Sequence, residues 1–234
     1  MKWCGPYKNK SIKIITVLPR VCFVLAMFPF SDIDMIDYEQ RQSKLLSIME
    51  IVDRKGKIWP NRTAEALLTS FQRLNFYHGK DFNGMTFIDC LACGSEAILY
   101  CYILFNFGSL VSIEVSNESC EQGLNYFNKY IASEKSCEIE VIVGRFHDYF
   151  RVDADVVYLD TIQLGYYFDE SVLLASFFTC CKKLFSGSCI IVVKQSDVLN
   201  ILEFASSEFK VLIDERLQCT NDSPFCSITV FEKV

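Results

Sequence analysis

The chain has 234 residues, a formal net charge of −6 and 51% hydrophobic residues. So much apolar surface excludes a disordered chain, which buries too little to offset its ordering entropy. The acidic balance argues against a surface built throughout to grip nucleic acid, because phosphate contacts need Lys and Arg.

The charge is unevenly spread. Residues 1–31 hold Lys2, Lys8, Lys10, Lys13 and Arg20 and no acid, a +5 segment that leaves −11 on the rest of a −6 chain. An acidic body suits basic partners such as lysine-rich protein tails. Contact with nucleic acid is expected at most through the basic N-terminus. Within that leader VCFVLAMF (21–28) is eight apolar residues, far short of the roughly 20 that span a bilayer, so no membrane span is expected. A cleaved signal, an organellar transit peptide and an additional strand all fit this leader.

From Met35 to Val52 the spacing reads as an amphipathic helix, and Gly56 marks a break. Asn61 or Thr63 caps a second helix reaching Leu74, with Ala64, Leu67, Leu68 and Phe71 at helical spacing. The polar loop HGKDFNG (78–84) ends this helical stretch. From residue 85 apolar strands alternate with helices. Strands are predicted at MTFIDC (85–90), SLVSIEV (109–115), CEIEVIVG (137–144), ADVVYLD (154–160) and SCIIVVK (188–194). Near-continuous apolar strands with helices between them mean a parallel sheet covered on both faces, an open α/β sandwich. The tail differs: FKVLIDERLQ (209–218) and FCSITVFEK (225–233) are joined by a linker too short for a helical crossover, so they pair antiparallel or splay apart. The chain divides into a basic leader at 1–31, a helical extension at 32–80 and a Rossmann-like domain at 81–234.

The twelve cysteines fall mostly inside these apolar runs, as small buried hydrophobes in a reducing compartment. Cys90 and Cys93 have no second such pair, and His78 and His147 lack ligand spacing, so no metal site is expected.

In open α/β sheets ligands bind beyond the carboxyl ends of the strands. The first strand ends in Asp89, followed by Cys90-Leu91-Ala92-Cys93-Gly94-Ser95-Glu96. The second ends in Glu114-Val115, with Glu114 25 residues after Asp89, where a carboxylate can hold a ribose diol. The third ends in Gly144-Arg145-Phe146-His147, and the fourth in Asp160-Thr161, followed by an aromatic stretch, Tyr166-Tyr167-Phe168.

Five parallel strands followed by an antiparallel pair resemble the class I S-adenosylmethionine-dependent methyltransferase fold, a seven-stranded sheet. Within that class FIDCLACGSEAIL, the acid of VSIEV, VIVGRF and ADVVYLDTIQLGYYFDESVLLASFFTCCKKLFSGSCIIVVK resemble the disruptor-of-telomeric-silencing family of histone lysine methyltransferases, over roughly residues 60–204. The resemblance implies S-adenosylmethionine as cofactor, methyl transfer to a lysine of a basic, histone-type protein, and an intracellular, nuclear protein. It implies cofactor contacts at Asp89, Cys93, Gly94, Glu114, Val115, Arg145, Phe146 and Asp160, and catalytic roles for Asp160, Thr161 and Tyr166. The glycine motif is degenerate: Leu91, Cys93 and Ser95 stand where the family pattern D-x-G-x-G-x-G has glycine, and Arg145 stands where it often has an acid. Leucine at such a glycine position would be strained. The alternative expectation is a catalytically inactive methyltransferase-fold protein that serves as an interaction or assembly module. A nucleic-acid methyltransferase is disfavoured by the −11 body and by the lack of an N-P-P-Y-type loop after the fourth strand.

Overall fold

A computed structural model of the chain describes residues 11–14, 61–92, 95–114, 116–130, 137–162, 169–194, 200–217 and 226–234. The expected helix at 35–52 lies outside them. Eight strands and five α-helices are described: β1 (Ser11–Ile14), α1 (Asn61–His78), β2 (Thr86–Ala92), α2 (Glu96–Leu104), β3 (Ser109–Glu114), α3 (Asn117–Tyr130), β4 (Glu138–Val143), α4 (Phe146–Tyr149), β5 (Val156–Asp160), α5 (Glu170–Cys181), β6 (Cys189–Lys194), β7 (Phe209–Leu217) and β8 (Cys226–Lys233).

All the strands join one sheet in the order β1-β4-β3-β2-β5-β6-β8-β7. The five strands β2 to β6 pair in parallel, as their apolar runs require. The tail pairs antiparallel, β8 lying between β6 and β7. One strand exceeds the expected seven. Ser11–Ile14, inside the basic leader, pairs antiparallel with β4 from Ser11↔Ile142 to Ile14↔Ile139 and covers what would otherwise be an open edge.

The sheet separates two apolar layers, and side-chain alternation along each strand feeds both. Val156 and Tyr158 of β5 join Leu67, Phe71 and the wholly buried α2 on one face. Val157 and Leu159 join Phe146, Leu174, Phe177 and Phe178 on the other. α2, EAILYCYIL, has apolar residues on every side, which suits a helix with no solvent face. Among the described residues eight cysteines are free and all are buried, as packing groups.

The sheet order reverses at β2. β3 and β4 lie to one side and β5 and β6 to the other. Pairing of β2 with β5 stops at Asp89↔Tyr158, while β2 continues along β3 with a bulge between Asp89 and Ala92. β2 and β5 therefore part company at their carboxyl ends, and the crevice of an open α/β sheet forms there.

Candidate functional site

Three acids stand on the three adjacent strands at this crevice: Glu114 and Asp160 at the ends of β3 and β5, and Asp89 where β2 leaves β5. All are buried, with at most 4% of their surface exposed. By strand alternation each shares its face with a residue of the α1–α2 layer: Leu110, Phe87 and Tyr158 respectively. Burial pushes the Asp89 carboxyl well above the usual carboxylate range, and the nearby Glu114 and Asp160 charges push it further; the Leu91 amide, donating to Asp89 Oδ1 at 3.3 Å, opposes the shift.

The rim is built from hydroxyls. Thr63 of α1 and Tyr158 of β5 donate to Asp160 Oδ2 at 3.5 and 3.4 Å, and the Ile162 amide donates to Oδ1 at 2.9 Å. Tyr100 donates to Glu96 Oε1 at 2.8 Å, one turn into α2, and burial beside that acid raises the Tyr100 phenol well above 10. Ser95, which precedes α2, sits at φ 56, ψ 31. It is the one non-glycine residue with positive φ among the described residues. The strain expected at Leu91 is therefore at Ser95; Leu91 instead packs in the core on the other face of the sheet. The Ser95 hydroxyl bonds both Ser112 and Glu114.

Other residues singled out in the sequence lie elsewhere or outside the described set. Phe146 packs in the opposite core, its ring centroid 6.1 Å from that of Phe177. Arg145 is mostly exposed and pairs with Asp148 at 3.4 Å. The Thr161 hydroxyl donates to Glu170 at 2.7 Å and lies 3.3 Å from the Val193 carbonyl, tying the end of β5 to α5 and β6. Cys93, Gly94, Val115 and Tyr166 lie outside the described residues. Sequence reading missed Ser112, Glu96, Tyr158 and the side chain of Thr63 as parts of this site. Ser112 was legible: a polar residue two positions before the strand-end acid shares its face. The other three needed the packing of α1 and α2.

The fold of this chain superposes on solved structures. It superposes on the m1A22 tRNA methyltransferase TrmK of B. subtilis with a TM-score of 0.53 and 14% identity, over 69% of this chain and 65% of that one. The chain carries the class I methyltransferase fold. With the same fold, Sp1610 of Streptococcus pneumoniae, described as a putative tRNA (m1A22) methyltransferase in complex with S-adenosyl-L-methionine, gives 0.51 at 13% identity, over 69% and 72%. TrmN of Thermus thermophilus gives 0.52 at 13%, over 70% and 48%. The chain thus spans just under two thirds of TrmK and about half of TrmN. No protein-family model and no curated protein sequence matches it. Relative to the methyltransferase fold the additional element is β1, and no helix among the described residues is long and apolar enough to cross a membrane.

Proposed function

We propose that the chain is an S-adenosylmethionine-dependent methyltransferase acting on a lysine of a basic, histone-type protein. The observation that carries the reading is the trio of buried carboxylates, Asp89, Glu114 and Asp160, on adjacent strands where the sheet order reverses and β2 parts from β5. They fit the cofactor's donors: Glu114 already accepts two hydroxyls, and a ribose offers the same pair. The cofactor supplies an electrophilic methyl group on a sulfonium.

The protein's own residues bind and orient. Glu114 holds the ribose, and Asp89 beside it, its carboxyl pushed well above the usual carboxylate range by burial, adds a hydrogen-bonding group to the crevice. Asp160, fixed by Thr63, Tyr158 and the Ile162 amide, faces the acceptor and takes the proton that an incoming lysine ammonium gives up before its amine attacks. Thr161 braces that strand end. Cys93, Gly94 and Val115 keep a role in cofactor contact, and Tyr166 a catalytic one, through the family resemblance alone. Phe146, packed in the opposite layer, and Arg145, exposed and paired with Asp148, have no role in this reading. Alignment of amine and methyl carbon supplies most of the rate in such a displacement.

A protein acceptor is supported by charge. The −11 outside the leader repels phosphate and attracts lysine-rich tails, although TrmK and Sp1610 are described as acting on tRNA. A histone-type acceptor puts the site of action in the nucleus, with the +5 leader as the segment suited to nucleic acid.

A second reading, an inactive interaction module, is favoured by one observation: serine replaces glycine at residue 95 and its hydroxyl sits on Glu114. Calorimetric titration with S-adenosylmethionine separates the two. Binding at a hundredfold excess over Kd stabilises the fold by about 2.7 kcal/mol, several degrees in Tm. No heat and no melting shift at millimolar cofactor leaves the inactive module.

A further inference from the structure

Two buried serine hydroxyls meet at the end of β3. Ser95 Oγ and Ser112 Oγ lie 2.8 Å apart, and both come within hydrogen-bond reach of the same atom, Glu114 Oε1, Ser112 at 3.2 Å. Two neighbouring hydroxyls converging on one strand-end carboxylate reproduce what the vicinal diol of a ribose presents. The arrangement is held against two local preferences. At φ 56 Ser95 occupies a backbone region that favours glycine. A serine at a helix N-cap ordinarily turns its oxygen to the first helical amides, yet Ser95, the N-cap of α2, makes no such bond. Its hydroxyl is spent on Glu114 instead.

We propose that Ser95 sets the affinity of this site for ribose-bearing ligands: together with Ser112 it stands in for the ribose diol on Glu114, and a nucleoside ligand binds by displacing it. The inference rests on the methyltransferase reading above. A buried carboxylate that loses a donor is costly. Ser95 therefore stabilises the ligand-free site and weakens binding by the amount it contributes. Glycine at this position would remove the Ser95 hydroxyl that competes with the ligand for Glu114.

The test uses the full chain, calorimetry and melting curves rather than turnover. Its probes are S-adenosylhomocysteine and the same molecule lacking the ribose hydroxyls. Ser95→Ala and Ser95→Gly are both expected to bind S-adenosylhomocysteine about tenfold more tightly than the parent, on the order of 1.4 kcal/mol. Neither gains toward the dideoxy probe. Without ligand Ser95→Ala melts below the parent, and Ser95→Gly recovers part of the loss because glycine suits φ 56. Should Ser95→Ala fail to fold, Ser95→Gly carries the comparison. Binding by the variants where the parent shows none supports the proposal in its strongest form. Equal or weaker binding by the variants, with a parent that does bind, overturns it and leaves the methyltransferase reading standing. An equal gain toward the dideoxy probe also overturns it. No binding by the parent or either variant overturns the methyltransferase reading and this proposal with it.

Discussion

Asp89 is a carboxyl whose ionisation is strongly constrained by its surroundings. Buried beside Glu114 and Asp160, it holds its proton well above the usual carboxylate range. A raised folded value makes charge a burden on the native state. Below the unfolded-state value of about 3.9 both states hold the proton and the residue costs nothing. As pH rises from there through the raised folded value, the stability contributed by that proton is lost. Asp89→Asn, whose side-chain oxygen still accepts from the Leu91 amide, is expected to melt with the parent near pH 4 and progressively above it toward neutrality. Melting curves of both proteins across that window check the sign; parallel curves would refute the burden. The acid itself was legible, since a carboxylate closing an apolar strand stands out. Its perturbation was not, because Glu114 and Asp160 are 25 and 71 residues away in the chain and become neighbours only through the sheet.

At the scale of elements, the central strands β5 and β6 were readable because they are buried on both faces and so carry a nearly unbroken apolar run. Strand ends were the weaker point. β2 runs to Ala92 rather than stopping at Cys90, because a bulge keeps it on β3 after it leaves β5. α1 runs to His78, past Leu74. β1 carried little signal of its own: four residues in a basic leader acquire their partner only from the exposed edge of β4. The turns before β2 and β3 are tighter than composition reveals. A Cβ on Gly108 would stand 2.5 Å from the Gly84 carbonyl oxygen, a backbone atom that cannot swing aside. Gly108→Ala is therefore expected to cost about 1–3 kcal/mol, read as a lower denaturation midpoint with an unchanged slope.

For the whole molecule, α1 is the element that closes the site's side of the sandwich. Phe71 is its anchor: 2% exposed, with its ring centroid 4.7 Å from Phe82, 4.5 Å from Phe105 and 5.6 Å from Phe107. Phe71→Ala should lower stability by about 3–5 kcal/mol, measurable by urea unfolding. The same helix supplies Thr63 to Asp160, so loosening it also loosens the strand-end acid. Thr63→Ala, which removes one donor and little volume, is expected to cost about 1–3 kcal/mol by leaving a buried carboxylate short of a partner; a neutral effect on the melting curve would show that Asp160 does not depend on it.

Period, length and linker arithmetic in the sequence determined the α/β alternation, the parallel strands, a tail of two strands that pair antiparallel or splay apart, and the acids near three strand ends. These are local properties: each follows from residues a few positions apart. Only the tertiary structure decided which of those ends share a crevice, that Phe146 belongs to the opposite layer, and that the strained residue of the degenerate turn is Ser95. Its hydroxyl meets a carboxylate 19 residues away, and that contact follows from the parallel register of β2 and β3, which no local pattern records.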